Sequence, residues 1–226
     1  MIRLGHGKLR AGFTGAVSRR IWETHDKGGA KPSPMQTQTH VLLAAALVVP
    51  LRRRHMTVHT PAVVIGAVLP DLPFFLLTVA GEIYYRWFAP LPATTGIMEY
   101  LHFTLFYRDP LWIVGHNLFH SLVVDTLLLC LGLWGMRRKR SWGAALFWLA
   151  ASMLLHVGID IVTHRSDGPL LWFPLSWTYR FASPVSYWES AYFGRWFMVF
   201  EYTLDLILAA LLAATYRPLL HRWRSR

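Results

Sequence analysis

The stretch WGAALFWLAASMLLHVGIDIVT, residues 142–163, decides the fold class of this chain. Its first fourteen positions, residues 142–155, carry no ionisable side chain, and His156 and Asp160 follow within the same apolar run. A helix needs about 20 predominantly apolar residues to cross the hydrocarbon core of a bilayer. The stretch therefore predicts a membrane-spanning helix with two ionisable residues inside it.

Three further apolar segments have a comparable length: residues 61–80, 111–136 and 197–215. A shorter one, residues 41–51, cannot cross alone and is expected to be a half-helix or to lie at the interface. Together they predict an all-α fold, a polytopic membrane helical bundle with four to five membrane segments. Pro70 and Pro73 flank Asp71 and predict a broken helix at Pro70-Asp71, because proline interrupts the helical hydrogen bonds.

The composition agrees with a membrane protein. Of the 226 residues, 54% are hydrophobic and 15% are charged, whereas soluble domains average about 25% charged residues. An ordinary soluble domain is therefore excluded, and the aromatic and aliphatic content excludes a wholly disordered chain. Residues 35–226 are expected to form a single membrane-embedded domain. Residues 1–34, which are basic and lack an apolar run, are expected to be a disordered tail.

Basic residues cluster at the ends of the apolar segments: residues 52–54, 137–140 and 217–226. The positive-inside rule places these clusters in the cytoplasm, which predicts a multi-pass inner-membrane protein with a cytoplasmic C-terminus. Residues 81–110 and 164–196 then lie outside. The lipid bilayer is the expected partner. No nucleic-acid partner is expected, because no basic surface with interleaved aromatic residues occurs outside the tail.

Ionisable residues within membrane segments usually face the interior of the bundle or a water-filled cavity. His156, Asp160 and His164 are spaced four apart, so they share one face of a helix. His116 and His120 have the same spacing in another segment, and the break would point Asp71 inward. The predicted topology places these residues at similar depth, toward the outer half of the membrane, so we expect them to converge.

Imidazole and carboxylate ligands suit a divalent metal ion, with zinc favoured and manganese or iron as alternatives. Three other uses of these residues stay open at this point: a structural ion pair, a proton relay, and a haem held by His120 and His156. The haem interpretation leaves Asp71 and Asp160 without a role.

Several motifs occur in an order that resembles a known family: Thr39-His40, Leu69-Pro70-Asp71, His120-Ser121-Leu122, His156-x3-Asp160 and the stretch LLWFPLS at residues 170–176. Residues 36–215 resemble the membrane-bound metal-dependent hydrolase-like family that includes a LexA-regulated inner-membrane protein. That family is distantly similar to zinc-dependent phospholipases C and single-strand nucleases. The resemblance implies that the metal ligands are His40, Asp71, His120, His156 and Asp160.

The sequence thus predicts a membrane-bound metal-dependent hydrolase that cleaves an ester or phosphoester, lipid-derived because the site would lie at lipid depth. A metal-activated water would attack, and His116 or His164 would move a proton. One alternative from another class stays open, a non-catalytic membrane scaffold or subunit in which the polar cluster is structural. A small transporter or proton relay is disfavoured by the low number of helices.

Overall fold

The computed structural model describes residues 37–224 of the chain, with side chains for residues 37–217. The expected tail, residues 1–34, lies outside the described residues. The described residues all belong to one compact unit. Within that unit the regular structure is helical, apart from one isolated antiparallel bridge between Leu170 and Arg180. The predicted all-α class is therefore confirmed.

Seven helices of eight residues or more run through the described residues. They are α1 (Thr37–Arg53), α2 (Thr60–Val68), α3 (Leu72–Trp87), α4 (Pro110–Asn117), α5 (Leu122–Arg137), α6 (Gly143–Thr163) and α7 (Gly194–Arg224). Shorter helical pieces lie between them: Ile97–Glu99, the π-helical Tyr100–Leu105, Phe106–Arg108 and the 3-10 turn Ser190–Tyr192.

Two helices are long and apolar enough to cross a membrane, α6 and the part of α7 from Gly194 to Arg217. The pairs α2–α3 and α4–α5 also reach that length, and each pair is bent by 44° at its break. Each bent pair is either a broken span or a re-entrant loop, so the described residues contain two to four candidate spans. Helix α1 is not among them. An all-helical structure with two to four candidate spans is typical of a helical membrane protein, and the expected four to five segments stay a prediction.

The predicted break at Pro70-Asp71 is present, since α2 ends at Val68 and α3 begins at Leu72. Pro73 occupies the first turn of α3, where its missing N–H has no intrahelical partner to lose. Asp71 stands at the N-cap position of α3 but makes no capping hydrogen bond with its side chain. Its carboxylate is therefore not used to cap α3 and can contact residues of other helices.

A second break corrects the prediction of one continuous helix over residues 111–136. Helix α4 ends at Asn117 and α5 begins at Leu122. Ser121 is extended at this point, with φ −106° and ψ 121°, and its hydroxyl oxygen accepts a hydrogen bond from the Val124 N–H at 3.1 Å. This N-cap starts a new helix. His120 therefore lies in the break, not on one helical face with His116.

Helix α6 packs closely against both α2 and α5, because small residues allow the helices to approach. A Cβ atom added at Gly132 of α5 would lie 2.5 Å from the backbone nitrogen of Phe147, and one at Gly66 of α2 would collide with the backbone oxygen of Leu149. Small residues at helix contacts are typical of membrane bundles. One helix of each broken pair is thus packed against α6.

The opposite faces of the helices are apolar and exposed. Phe75 and Leu76 of α3, Leu127 of α5 and Leu206 of α7 are each more than half exposed. Apolar surface of this extent is unusual on a water-soluble protein. It is the surface that lipid tails cover when a helical bundle lies in a bilayer.

Candidate metal centre

Four residues from three places in the fold meet at one point. His156 and Asp160 extend from α6, Asp71 comes from the break between α2 and α3, and His120 comes from the break between α4 and α5. Each offers one ligand atom, and the four atoms all lie within 4.8 Å of one another. Irregular backbone at membrane depth is tolerated where protein or a cavity covers it, and here both breaks supply a ligand atom.

The distances between the four atoms fit a small metal ion. The Nε2 atoms of His120 and His156 are 3.2 Å apart, and each lies 3.2 Å from Asp160 Oδ2. Each also lies 3.4 Å from Asp71 Oδ1. A tetrahedral zinc site with metal–ligand distances of about 2.0–2.2 Å has ligand–ligand distances of roughly 3.3–3.6 Å. The observed spacing is close to that range.

The chemistry of the four atoms also suits a cation. His120 Nδ1 donates to the backbone oxygen of His116 at 2.7 Å, and His156 Nδ1 donates to that of Ala67 at 2.9 Å. Since a carbonyl oxygen only accepts, both Nδ1 atoms carry the proton, and a neutral ring then presents its lone pair at Nε2. Two imidazole lone pairs and two carboxylate oxygens therefore face one another.

If both rings were imidazolium, two positively charged Nε2–H groups would lie 3.2 Å apart. A divalent cation accepts all four lone pairs at once, and the carbonyl bonds at Nδ1 are the orienting contacts that metal-bound histidines usually have. The residues present thus fit a divalent metal ion.

The cluster is closed on most sides and open on one. The side chains of His120 and His156 are each 1% exposed and that of Asp160 is 6% exposed, whereas that of Asp71 is 32% exposed. Water and a small reacting group can therefore approach the cluster past Asp71. An accessible side is what a catalytic metal site needs, because water or substrate must reach the ion.

The first turn of α1 holds the acidic side of the cluster. Thr37 Oγ1 donates to Asp71 Oδ2 at 2.6 Å. The next two residues bind acids of α7, with Thr39 Oγ1 donating to Glu201 Oε1 and Gln38 Nε2 donating to Asp205 Oδ2, both at 3.0 Å. Sequence reasoning missed Thr37 and Gln38, and their polar character just before an apolar run was the available signal.

His40 lies against the cluster without supplying one of its four converging atoms. Its Nε2 is 3.2 Å from Asp160 Oδ1, the carboxylate oxygen that faces away from His120 and His156. Its ring stacks on that of His156, with centroids 3.6 Å apart. Of the five ligands that the resemblance implied, four therefore meet at one point, and His40 contacts two of them.

The two residues expected to move protons flank the cluster. His116 stacks on His120 with ring centroids 4.7 Å apart, and both of its ring nitrogens are buried without a hydrogen-bond partner. His164 follows α6, and its Nδ1 lies 3.8 Å from Asp160 Oδ1. Both imidazoles are thus near the cluster, and each lies beside a different one of its residues, His116 beside His120 and His164 beside Asp160.

The connection between α6 and α7 is tied to the second break. Asn117 Oδ1 accepts a hydrogen bond from the Leu170 N–H at 2.7 Å, and Ser121 Oγ donates to the backbone oxygen of Phe173. Sequence reasoning gave Asn117 no role, because its partner is distant along the chain. These contacts fix residues 170–173 beside His120.

Farther along this connection, Tyr187 lies against His164, with ring centroids 4.3 Å apart. Its hydroxyl donates to Asp167 Oδ2 at 2.9 Å. Burial, together with the negative charge of Asp167, holds the pKa of Tyr187 well above its usual value. The hydroxyl therefore keeps its proton and serves as a fixed hydrogen-bond donor beside the site.

Comparison with known proteins gives one match. The family model described as YdjM inner membrane protein matches residues 35–224, most of the chain. No curated protein and no solved structure matches the chain. The comparisons thus support an inner-membrane family, and they do not link the chain to hydrolases or to phospholipases C, so that part of the resemblance stays a prediction.

Proposed function

The chain belongs to the family of YdjM inner membrane proteins, and we propose that it is a membrane-bound metal-dependent hydrolase of an ester or phosphoester. The observation that carries the proposal is the convergence of four acceptor atoms, from Asp71, His120, His156 and Asp160, within 4.8 Å of one another. Such a convergence suits a divalent cation, because with both rings neutral each atom presents a lone pair to the others.

Zinc is the ion that the donor set favours. Two imidazole nitrogens and two carboxylate oxygens form a mixed ligand set of intermediate softness, and their spacing suits a tetrahedron. Manganese and iron accept the same donors. When bound, a divalent ion of this kind supplies Lewis-acid chemistry, which activates water and polarises an ester or phosphoryl oxygen.

The surrounding residues supply the other functions of a hydrolytic site. His40 and Thr37 hold the carboxylates of Asp160 and Asp71 in place. His116 contacts His120 and His164 lies near Asp160, and these two imidazoles are the groups that would take a proton from the attacking water or give one to the leaving group. The accessible side at Asp71 admits the substrate.

A lipid-derived substrate follows from the position of the cluster. The ligand residues lie in or between helices whose outward faces are apolar, including α3 with its exposed Phe75 and Leu76. A substrate with an apolar tail would reach such a site from the bilayer, while its polar ester or phosphoester end entered beside Asp71. We therefore place phospholipids and related lipid esters first among the candidates.

Hydrolysis by the purified protein tests the proposal. Detergent-purified protein, stripped of metal and reloaded with zinc, manganese or ferrous iron, is offered nitrophenyl phosphate, bis-nitrophenyl phosphate, nitrophenyl butyrate and mixed micelles of phosphatidic acid. We expect cleavage of at least one of them that needs the metal and is lost in the His156→Ala/Asp160→Ala double variant.

The matched control is the His55→Ala/Glu99→Ala double variant, which removes an imidazole and a carboxylate that are both exposed and far from the cluster along the chain. It is expected to keep the wild-type rate. If folded, metal-loaded wild-type protein leaves every substrate intact, the hydrolase proposal fails and a non-catalytic scaffold with a structural metal or polar cluster becomes the better account.

A further inference from the structure

Arg180 is a partly buried cation in the connection between α6 and α7. Its Nη1 donates to the backbone oxygen of Gly168. Its guanidinium carbon lies over two aromatic rings, 5.0 Å from the ring centroid of Phe106 and 5.6 Å from that of Tyr107. Burial lowers the pKa of Arg180, but an arginine remains charged in proteins. The fold thus keeps a positive charge at this place.

This charge has no ion-pair partner among the residues that the structure describes. Every ion pair found there joins other residues, and none includes Arg180. Asp167 acts on Arg180 electrostatically, but its Oδ2 accepts hydrogen bonds from Tyr187 and Trp188. Buried charges are usually paired, so a partly buried arginine without an ion-pair partner among the described residues is suited to an anionic ligand.

Two independent chains of contacts connect Arg180 to the break that carries His120. Phe106, which lies under the guanidinium, also contacts the ring of His116 at a centroid distance of 4.7 Å, and His116 stacks on His120. The second connection runs through the backbone. Arg180 forms the isolated bridge with Leu170, whose N–H is bound by Asn117 next to His116.

We propose that Arg180 binds the phosphate group of the substrate beside the metal centre. This inference rests on the proposed function, and it narrows the substrate class from esters in general to phosphate esters. A guanidinium presents a planar fork of N–H donors that matches two phosphate oxygens, and such charge-assisted bidentate bonds are strong. His116 adds two buried ring nitrogens without partners next to the same Phe106 ring.

Arg165 offers a matched control in the same connection. Its Nη1 donates to the backbone oxygen of Ser183 at 2.8 Å, and its guanidinium carbon lies 3.7 Å from the ring centroid of Tyr192. Its environment is similar to that of Arg180, since each guanidinium donates to one backbone carbonyl and lies against aromatic rings, one for Arg165 and two for Arg180. It lacks the contact with Phe106 that joins Arg180 to His116, so it is not expected to bind the phosphate.

Binding of inorganic phosphate by calorimetry tests the proposal without any need for catalysis. The detergent-purified proteins are wild type, Arg180→Gln, Arg180→Lys and Arg165→Gln, each also prepared in the His156→Ala/Asp160→Ala background. In that background the proposed metal ligands are gone, so failure of the hydrolase proposal does not remove the signal. Circular dichroism and thermal unfolding confirm that each variant is folded.

We expect Arg180→Gln to weaken phosphate binding by about ten- to a hundredfold in both backgrounds, as for loss of a hydrogen bond to a charged group. Arg180→Lys keeps the charge and is expected to lose less, and Arg165→Gln is expected to match wild type. The proposal is overturned if folded Arg180→Gln binds phosphate as wild type does, or if Arg165→Gln shows the larger loss.

A parallel titration with dihexanoyl phosphatidic acid identifies the source of the phosphate. Tighter binding of this lipid than of inorganic phosphate, with the same dependence on Arg180, assigns the site to a lipid headgroup. Equal binding of the two, again dependent on Arg180, assigns it to a soluble phosphate compound. Lipid binding that is indifferent to Arg180→Gln contradicts the proposal.

Discussion

Replacing His40 with alanine tests how the first turn of α1 supports the proposed metal centre. The change removes the nitrogen that lies 3.2 Å from Asp160 Oδ1 and the ring stacked 3.6 Å from that of His156. It leaves all four converging atoms in place. Removing such an outer contact typically weakens metal binding by about 10–100-fold, which corresponds to about 1.4–2.8 kcal/mol.

The assay is competition for zinc between the detergent-purified protein and a chromogenic chelator. His120→Ala, which removes one of the four converging atoms, is expected to lose measurable binding, while His40→Ala retains a weakened site. His55→Ala, which removes an exposed imidazole, is the matched control and is expected to behave as wild type. Thermal unfolding without metal checks that each variant is folded.

Two results would refute this reasoning. Loss of binding in His40→Ala as complete as in His120→Ala would make His40 a direct ligand, as the sequence resemblance implied. Unchanged affinity in His40→Ala would mean that its contacts with Asp160 and His156 contribute nothing to the site.

Three further predictions concern the fold and its orientation. Ser121→Ala removes the N-cap of α5 and the anchor of Phe173, and it should lower the free energy of unfolding by about 1–2 kcal/mol; unchanged thermal unfolding in detergent would contradict the second break. Gly132→Ala forces a Cβ atom to within 2.5 Å of the backbone nitrogen of Phe147 and should destabilise the protein by about 1–3 kcal/mol. Gly158→Ala, whose Cβ would meet nothing within 4 Å, should not destabilise it. A reporter fused after Arg140 should be found in the cytoplasm, and an external reporter would refute the predicted topology.

Part of the candidate site could be predicted from local sequence. His156 and Asp160 lie on one helix at a spacing of four residues, so their common direction follows from helical geometry alone. The position of Asp71 in a break follows from Pro70 and Pro73, because proline interrupts helices. These three residues needed no information about distant parts of the chain.

The second break was not predicted, because residues 111–136 are predominantly apolar and suggest one continuous helix. Its causes are contacts made across the chain. Asn117 binds the backbone of Leu170 and Ser121 binds that of Phe173, some fifty residues away. A serine before an apolar run was a weak local signal, because serine is common within membrane segments too.

The hydrogen bonds around the cluster could not be predicted from local sequence either. Thr37 reaches Asp71 across 34 residues, and Thr39 reaches Glu201 across 162 residues. Arg180 is positioned by its backbone bridge with Leu170 and by the contact of its guanidinium with the ring of Phe106. No spacing rule connects such residues, since packing of the helices decides which of them meet.

The metal content of the purified protein tests the central claim most directly. Mass spectrometry on detergent-purified wild type and on the exposed control, His55→Ala/Glu99→Ala, is predicted to find about one zinc, manganese or iron ion per chain. The His156→Ala/Asp160→Ala variant is predicted to contain none. Folded wild-type protein without metal, even after exposure to zinc, or a double variant that retains it, would contradict the account.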